Sequence, residues 1–547
     1  MGIRCSIVTG IFIAAYSFLL FNIYDLQLSN GQYYKAKAAS QEFAASILEA
    51  RRGIIYFTDK NGEKVGGALN KEFPVIYGVP KEIESPKNIA KALAPILEIT
   101  PAEIIKKLSK PDDAYEILAE KITPTLANKI ESLNLKGIYV TEEERRAYPF
   151  GTAAAHLLGF VGPDSKSVAR VGHYGLEELY QERLAGTPGK LVDDELTEPT
   201  PGTDLTLTID ANIQIEAEKI LENLVTTHKA RGGSVIVEDP ITGKIVSMAS
   251  WPNFNPNSYS GTELKNFLNP AVQEIYEPGS IFKVITMAAG IDSLAITPET
   301  TYIDKGSLTM NGRTIQNYDL KTHGPYGKTT MTEVIEHSIN TGAVFAERQI
   351  GRETFRKYLE RFGFNDKTGV DMQGEVKGDL RRLSPKEKDI AFATASYGQG
   401  VAVTPIALIN SIAAIANGGN LMRPYVNAEL EPKIISPAII RTYSAKQVTD
   451  MMISAVDKAD VAKIKGYILA GKTGTAYVPD FKKGGYTDRV INTYVGFGPV
   501  SNPKFVILIK LDEPEGSPVA ALTVVPAFRD LAQFVLNYYA LPPDRIE

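Results

Sequence analysis

Cysteine is almost missing from this chain of 547 residues: Cys5 is the only one. A disulfide framework needs pairs and a thiolate metal site needs clusters, so both are excluded. Histidine is scarce too. The five present, His156, His173, His228, His323 and His337, form no His-Glu-x-x-His motif and no close ligand pair. His337 stands directly before Ser338, but no carboxylate partner for a Ser-His arrangement is identifiable from sequence. Nor is there an excess of positive charge: Lys and Arg total 59 against 64 Asp and Glu, a net charge of −5. A mildly acidic chain of this kind gives no reason to expect nucleic acid as a partner.

What is there is the composition of a folded protein, 44% hydrophobic and 22% charged, with room for about two to four domains. Residues 5–24 carry no charge, a run of about 20 that can span a bilayer as one helix. Arg4 precedes the run and Asp25 follows it, which places the short N-terminus on the cytoplasmic side and the rest outside. Asp25-Leu26-Gln27-Leu28 is no small-x-small cleavage site, so residues 1–24 read as a stub and an uncleaved anchor.

Residues 25–203 are mixed in texture. A charged stem over 32–49 leads to Arg51-Arg52-Gly53-Ile54-Ile55-Tyr56 and Asp59-Lys60-Asn61-Gly62, a strand running into a hairpin turn. Residues 85–135 alternate short amphipathic helices with breaks at Pro86, Pro101, Pro111 and Pro124. No nucleophile-and-base constellation appears here, and the expected role is a non-catalytic pedestal or dimerisation-type domain. Pro201-Gly202-Thr203-Asp204 then punctuates the chain. Over 204–547 the spacing predicts strands at 205–209, 233–238, 244–250, 467–477, 491–500 and 504–511. It predicts an amphipathic helix at 211–224, a helix-rich middle over 280–416 and a last helix at 526–539. Strands at both ends with helices between argue for an α+β domain: one antiparallel sheet flanked by helices, beside a helical subdomain.

The chemistry centres on Tyr276-Glu277-Pro278-Gly279-Ser280-Ile281-Phe282-Lys283. The Pro278-Gly279 turn delivers Ser280 to the first turn of an apolar helix, and Lys283, three residues on, shares its face. A serine needs a base to become a nucleophile, and a lysine serves once burial or nearby positive charge strips its proton. The helix N-terminus adds N–H donors where an oxyanion would form. A single Ser-x-x-Lys also reads as a capping serine and a solvated lysine. Ser501-Asn502-Pro503-Lys504 is such a match, in a Pro/Asn loop that cannot align the pair. The companions distinguish the two. Ser338-Ile339-Asn340 lies in residues 334–346, a stretch of helical character, and offers a hydroxyl and an amide to a peptide. Lys472-Thr473-Gly474-Thr475 lies on an expected strand, where an ammonium and two hydroxyls suit a carboxylate and Gly474 admits a substrate close to the backbone. Lys367-Thr368-Gly369 spells the same triplet but follows Asn365-Asp366 as a loop.

The ordered set Ser-x-x-Lys, Ser-x-Asn, Lys-Thr-Gly resembles that of class B penicillin-binding proteins, the peptidoglycan D,D-transpeptidases. The likeness covers nearly the whole chain. Arg52-Gly53-Ile54-Ile55, Arg146-Ala147-Tyr148-Pro149 and Gly172-His173-Tyr174-Gly175-Leu176-Glu177 are similar to the family's pedestal. Glu238-Asp239-Pro240-Ile241-Thr242-Gly243, Tyr397-Gly398-Gln399-Gly400 and Ala470-Gly471-Lys472-Thr473-Gly474-Thr475-Ala476 are similar to its catalytic half. No segment resembles the glycosyltransferase domain of class A relatives. The resemblance implies a β-lactamase-like catalytic fold in a bacterial cell membrane, no metal or organic cofactor, and β-lactams and D-Ala-D-Ala stem peptides as ligands. It also implies a membrane glycosyltransferase as partner. By the same resemblance Ser280 is the nucleophile, Lys283 its base, Ser338 the proton relay, Asn340 the holder of the stem's amide, and Lys472, Thr473 and Thr475 the carboxylate site. Two other readings stand beside it. One is a D,D-carboxypeptidase or β-lactamase on the same fold; the other is a non-enzymatic β-lactam sensor or scaffold.

Overall fold

The computed structural model describes Tyr16 and residues 49–545, apart from 111–114, 165–169, 193, 194, 481 and 517. The expected anchor, with Cys5, and most of the 32–49 stem lie outside the described residues. No helix among the described residues is long and apolar enough to cross a membrane.

The chain opens with the expected hairpin: β1 (Ile55–Thr58) and β2 (Lys64–Gly78) pair antiparallel. Helices α1 (Pro86–Leu97), α2 (Pro101–Leu108) and α3 (Pro124–Glu131) each begin at a proline, where no N–H is wanted. Thr100 and Thr123 cap α2 and α3 by accepting from Glu103 N and Leu126 N. Between α2 and α3, where only helices and proline breaks were expected, lies a short strand, β3 (Glu116–Ala119). β3 and β4 (Ile138–Ala147) both pair with β2. The pedestal is tied at Glu177, whose fully buried carboxylate accepts from Arg52 Nε and Arg146 Nε, each at 2.7 Å, and from Tyr148 OH at 3.2 Å. The three pedestal stretches noted in the sequence meet at this one carboxylate.

The strand predicted after Asp204 forms as β5 (Leu205–Asp210), but it pairs parallel with β1, Ile55 opposite Leu205. That pairing joins residues about 150 apart in the chain, and β5 feeds α4 (Ala211–His228) without a break. The second sheet then starts with β6 (Gly232–Glu238) and β7 (Ile245–Trp251). Further along come α5 (Phe282–Asp292), β8 (Thr301–Asp304), α6 (Met331–Glu336), α7 (Asn340–Ile350), α8 (Pro405–Ala416) and α9 (Thr442–Ala459). The sheet is completed by β9 (Ala470–Pro479), β10 (Tyr486–Gly498) and β11 (Phe505–Asp512), and α10 (Val524–Tyr538) closes the domain. Its order is β7-β6-β11-β10-β9, antiparallel throughout.

Both faces of this sheet are covered. Val235, Val237, Ile507 and Ile509 pack with α4 and α10, while the alternating Ile236, Val506 and Leu508 pack with α5 and α8. A strand buried on both faces needs apolar residues at consecutive positions, which is why β11 reads Phe-Val-Ile-Leu-Ile. β9 is left at the sheet edge, beside α9 and the turn Gly279–Ile281 that leads into α5.

Glu238, at the end of β6, is fully buried, and among the described residues neither of its carboxylate oxygens has a hydrogen-bond partner. Burial, and secondarily the charge of Asp239, pushes its pKa well above the ordinary value. A carboxyl raised in the folded state contributes full stability at low pH and loses it as pH rises through the folded pKa. Glu238→Met is therefore expected to stabilise the protein near neutral pH by about 1–3 kcal/mol, with the gain shrinking toward pH 4. Thermal melts at pH 5 and pH 8 check this; an equal gain at both would show that the carboxyl is not the cause.

Candidate active site

Ser280 sits in a single 3₁₀ turn, Gly279–Ile281, that runs into α5. The turn is bedded from three sides. Tyr276, buried at its entrance, lies under Lys510 Nζ (5.0 Å to the ring) and within 3.4 Å of Thr493 Oγ1. Glu277 accepts from Gly400 N and from Tyr486 OH, both at 2.9 Å. Gly279 N donates to Gly398 O (3.1 Å), and the contact is so close that a Cβ on Gly398 would lie 2.2 Å from Gly279 O. Tyr397-Gly398-Gln399-Gly400 thus acts as a strut behind Ser280. Glu277 and Gly398 hold the site without touching its chemistry. Their signal in the sequence was proximity to Ser280 for the first and the glycine pair for the second.

Lys283 Nζ lies 3.0 Å from Ser280 Oγ and 3.1 Å from Ser338 Oγ, and also donates to Ser338 O. Lys472 Nζ approaches the same Ser338 Oγ from β9 at 3.0 Å, and donates to Thr473 O and Thr473 Oγ1 at 3.2 Å. One hydroxyl therefore bridges two amines. Both lysines are buried, at 0% and 3% exposure, and a charge without solvent is costly. Burial first, then the neighbouring Lys472, holds Lys283 well below the usual lysine range; Asp319 opposes the shift. Burial alone brings Lys472 down to about 7. An uncharged amine 3 Å from a serine hydroxyl can accept its proton.

Three sequence expectations change. Ser338 is not within a helix: α6 ends before it, α7 begins after it, and Ser338 itself has φ +58°. That left-handed bend turns both its oxygens toward the lysines, a strained conformation of the kind that persists where tertiary contacts demand it. Gly474 does not open a path for a substrate. A Cβ there would lie 2.8 Å from Pro278 O, so the glycine lets β9 close onto the Ser280 turn. Asn340 Nδ2 donates to Gln316 O at 2.9 Å, which leaves the amide oxygen to accept from a ligand. Thr475 Oγ1, half-buried, is 3.3 Å from Asn492 Oδ1.

The decoys separate as well. Lys367 is exposed, and Thr368 donates to Glu375 Oε1 at 2.6 Å as the clamp of a surface loop. Ser501 Oγ donates to Asp544 at 3.0 Å at the chain's far end. His337 is exposed, with its ring 4.9 Å from that of Tyr326.

The site thus joins Ser280 to one buried lysine amine, and Ser338 joins that amine to a second. Residues 233–532 match the family model of the penicillin binding protein transpeptidase domain, and residues 47–195 that of the penicillin-binding protein dimerisation domain. The chain belongs to the penicillin-binding protein transpeptidase family. It is 32% identical to the stage V sporulation protein D of Bacillus subtilis, over 93% of this chain and 82% of that one. It is 28% identical to the peptidoglycan D,D-transpeptidase FtsI of Escherichia coli, over 99% and 93% of the two chains. A peptidoglycan synthetase from Bifidobacterium adolescentis superposes with a TM-score of 0.66 at 26% identity, covering 91% of this chain and 97% of that one.

Proposed function

We propose that this protein is a peptidoglycan D,D-transpeptidase that cross-links stem peptides through an acyl-enzyme on Ser280. The observation that carries the reading is the Ser338 hydroxyl held between Lys283 and Lys472 at 3.1 and 3.0 Å, with Ser280 3.0 Å from Lys283. Ser280 Oγ attacks the penultimate D-Ala carbonyl of the donor stem as Lys283 Nζ takes its proton. The oxyanion is met by the backbone N–H groups of Ser280 and Thr475, each such donor typically worth roughly 3 kcal/mol. Ser338 passes the proton on to the departing D-Ala amine. Asn340 accepts from the stem's backbone amide, and Lys472, Thr473 and Thr475 bind the terminal carboxylate. An amine of a second stem then takes the acyl group. Residues 1–24 anchor the chain as a single pass, residues 25–203 form the pedestal and 204–547 the catalytic domain outside the cell membrane. A membrane glycosyltransferase supplies the glycan strands.

Penicillin, as a mimic of the donor, is expected to form a covalent adduct on Ser280. Mass spectrometry of the labelled, digested protein should place it within residues 275–283. An adduct on Ser338 or Ser501, or none on folded protein, would overturn the mechanism.

A further inference from the structure

The segment 316–326 runs along the Ser338–Asn340 side of the candidate site. Asn340 Nδ2 donates to Gln316 O at 2.9 Å, and Thr341 N donates to Asn317 Oδ1 at 3.1 Å. The segment is fixed by Asp304, 2% exposed, whose carboxylate accepts from Gly306 N (3.1 Å), Asn317 Nδ2 (3.1 Å) and Tyr326 N (2.9 Å) and from Thr341 Oγ1 (2.5 Å). On it stand Tyr318, 67% exposed, and the half-buried Asp319. Tyr326 OH donates to Asp319, and the Tyr326 ring is flanked by His323 at 4.0 Å and His337 at 4.9 Å. A continuous set of contacts thus leads from Ser338, through its neighbour His337 and Tyr326, to the Asp319 carboxylate.

Acylation gains nothing from a carboxylate in that place. Its field favours the protonated form of Lys283 and repels the donor's terminal carboxylate. The second half-reaction is different, because its nucleophile reaches the site as an ammonium. We propose that Asp319 is the anchor of the acceptor subsite, drawing a primary ammonium on an aliphatic stem, carried by the second peptide, to the site at Ser280. This rests on the transpeptidase reading above. The arriving ammonium gives one proton to the uncharged Lys283 amine. Its nitrogen bonds to the acyl carbon, the carbon–Oγ bond breaks, and the second amine proton goes to Ser280 Oγ. Lys283 then releases its proton to solvent, and the amide leaves.

The test uses the full chain, a D-alanyl thioester as donor, and two nucleophiles at pH 7.5: 1,5-diaminopentane, which is cationic, and hydroxylamine, which is not. The readout is the ratio of transfer product to hydrolysis product. Asp319→Asn is expected to lower that ratio about five- to tenfold for the diamine and less than about twofold for hydroxylamine. Asp319→Glu should restore the preference, and raising the salt to about 0.5 M should close the gap between wild type and Asp319→Asn. Tyr326→Phe, which keeps the charge but releases its position, should lose part of the preference, and it decides the matter if Asp319→Asn does not fold. An unchanged diamine ratio, or an equal loss with both nucleophiles, would overturn the inference while leaving the transpeptidase reading intact. A wild-type protein that the thioester does not acylate would sink that reading instead, and this one with it.

Discussion

Lys283→Ala is expected to lower the second-order rate constant of acylation by penicillin by roughly 10²- to 10⁴-fold, the usual contribution of a general base. Lys504→Ala should leave it unchanged. Both lysines end a Ser-x-x-Lys, so the comparison isolates what the fold adds. Lys283 is fully buried on α5, its amine 3.0 Å from Ser280 Oγ. Lys504 is exposed in the loop before β11, where its motif's serine is bound to Asp544 instead. Burial that strips the Lys283 proton also makes the residue expensive to keep, so its retention at 0% exposure points to chemistry rather than stability. Truncation also leaves the Ser338 hydroxyl without one of its two amine neighbours. Stopped-flow acylation of folded variants is the measurement, and equal rates for the two would refute the assignment of Lys283.

The second large effect separates the two Lys-Thr-Gly triplets. Losing one partner of a partly desolvated lysine–carboxylate contact costs roughly 2–5 kcal/mol, or about 30- to several-thousand-fold in acylation efficiency. Lys472→Ala should show a loss of that size and Lys367→Ala almost none. Lys472 is 3% exposed on the edge strand, its amine shared between Ser338 Oγ and Thr473. In the free protein, with its pKa brought down to about 7, it holds its charge below that pH and loses it above. Recognition of a carboxylate by the wild type should therefore weaken as pH rises through about 7, and Lys472→Ala should flatten that limb. Should Lys367→Ala prove the slower variant, the carboxylate site has been put on the wrong element.

The chemistry that depends on neighbours in the chain was legible without coordinates. Ser280 and Lys283 meet because three residues on a helix bring side chains to one face, and that geometry is the same wherever a helix forms. The prolines that start α1, α2 and α3, the turn between β6 and β7, and the unbroken apolar run of β11 are local in the same sense: the deciding residues lie within a few positions of one another. Where local preference is ambiguous, tertiary pairing decides. The short strand β3, between two helices, owes its place to pairing with β2, and no periodicity shows over four residues.

Packing decided the rest. The stretch around Ser338 has helical character, yet the residue is bent to φ +58° because two amines on α5 and β9 claim its oxygens. The second of these lies 134 residues away in the chain. Gly474 spells part of a binding motif, but its missing side chain makes room for Pro278 O rather than for a ligand. Asp304 and Asp319 carry no pattern of their own, and the motifs that hold Glu277 and Gly398 do not say what those residues touch. Glu277, Gly398 and Asp304 are placed by contacts with Tyr486, Gly279 and Asn317, each on another segment, and Asp319 by Tyr326 seven residues on. A sequence encodes dihedral preference and periodicity residue by residue. The distance between two buried groups is a property of how whole elements pack, and that packing brings two lysines and two serines within hydrogen-bond reach of one another.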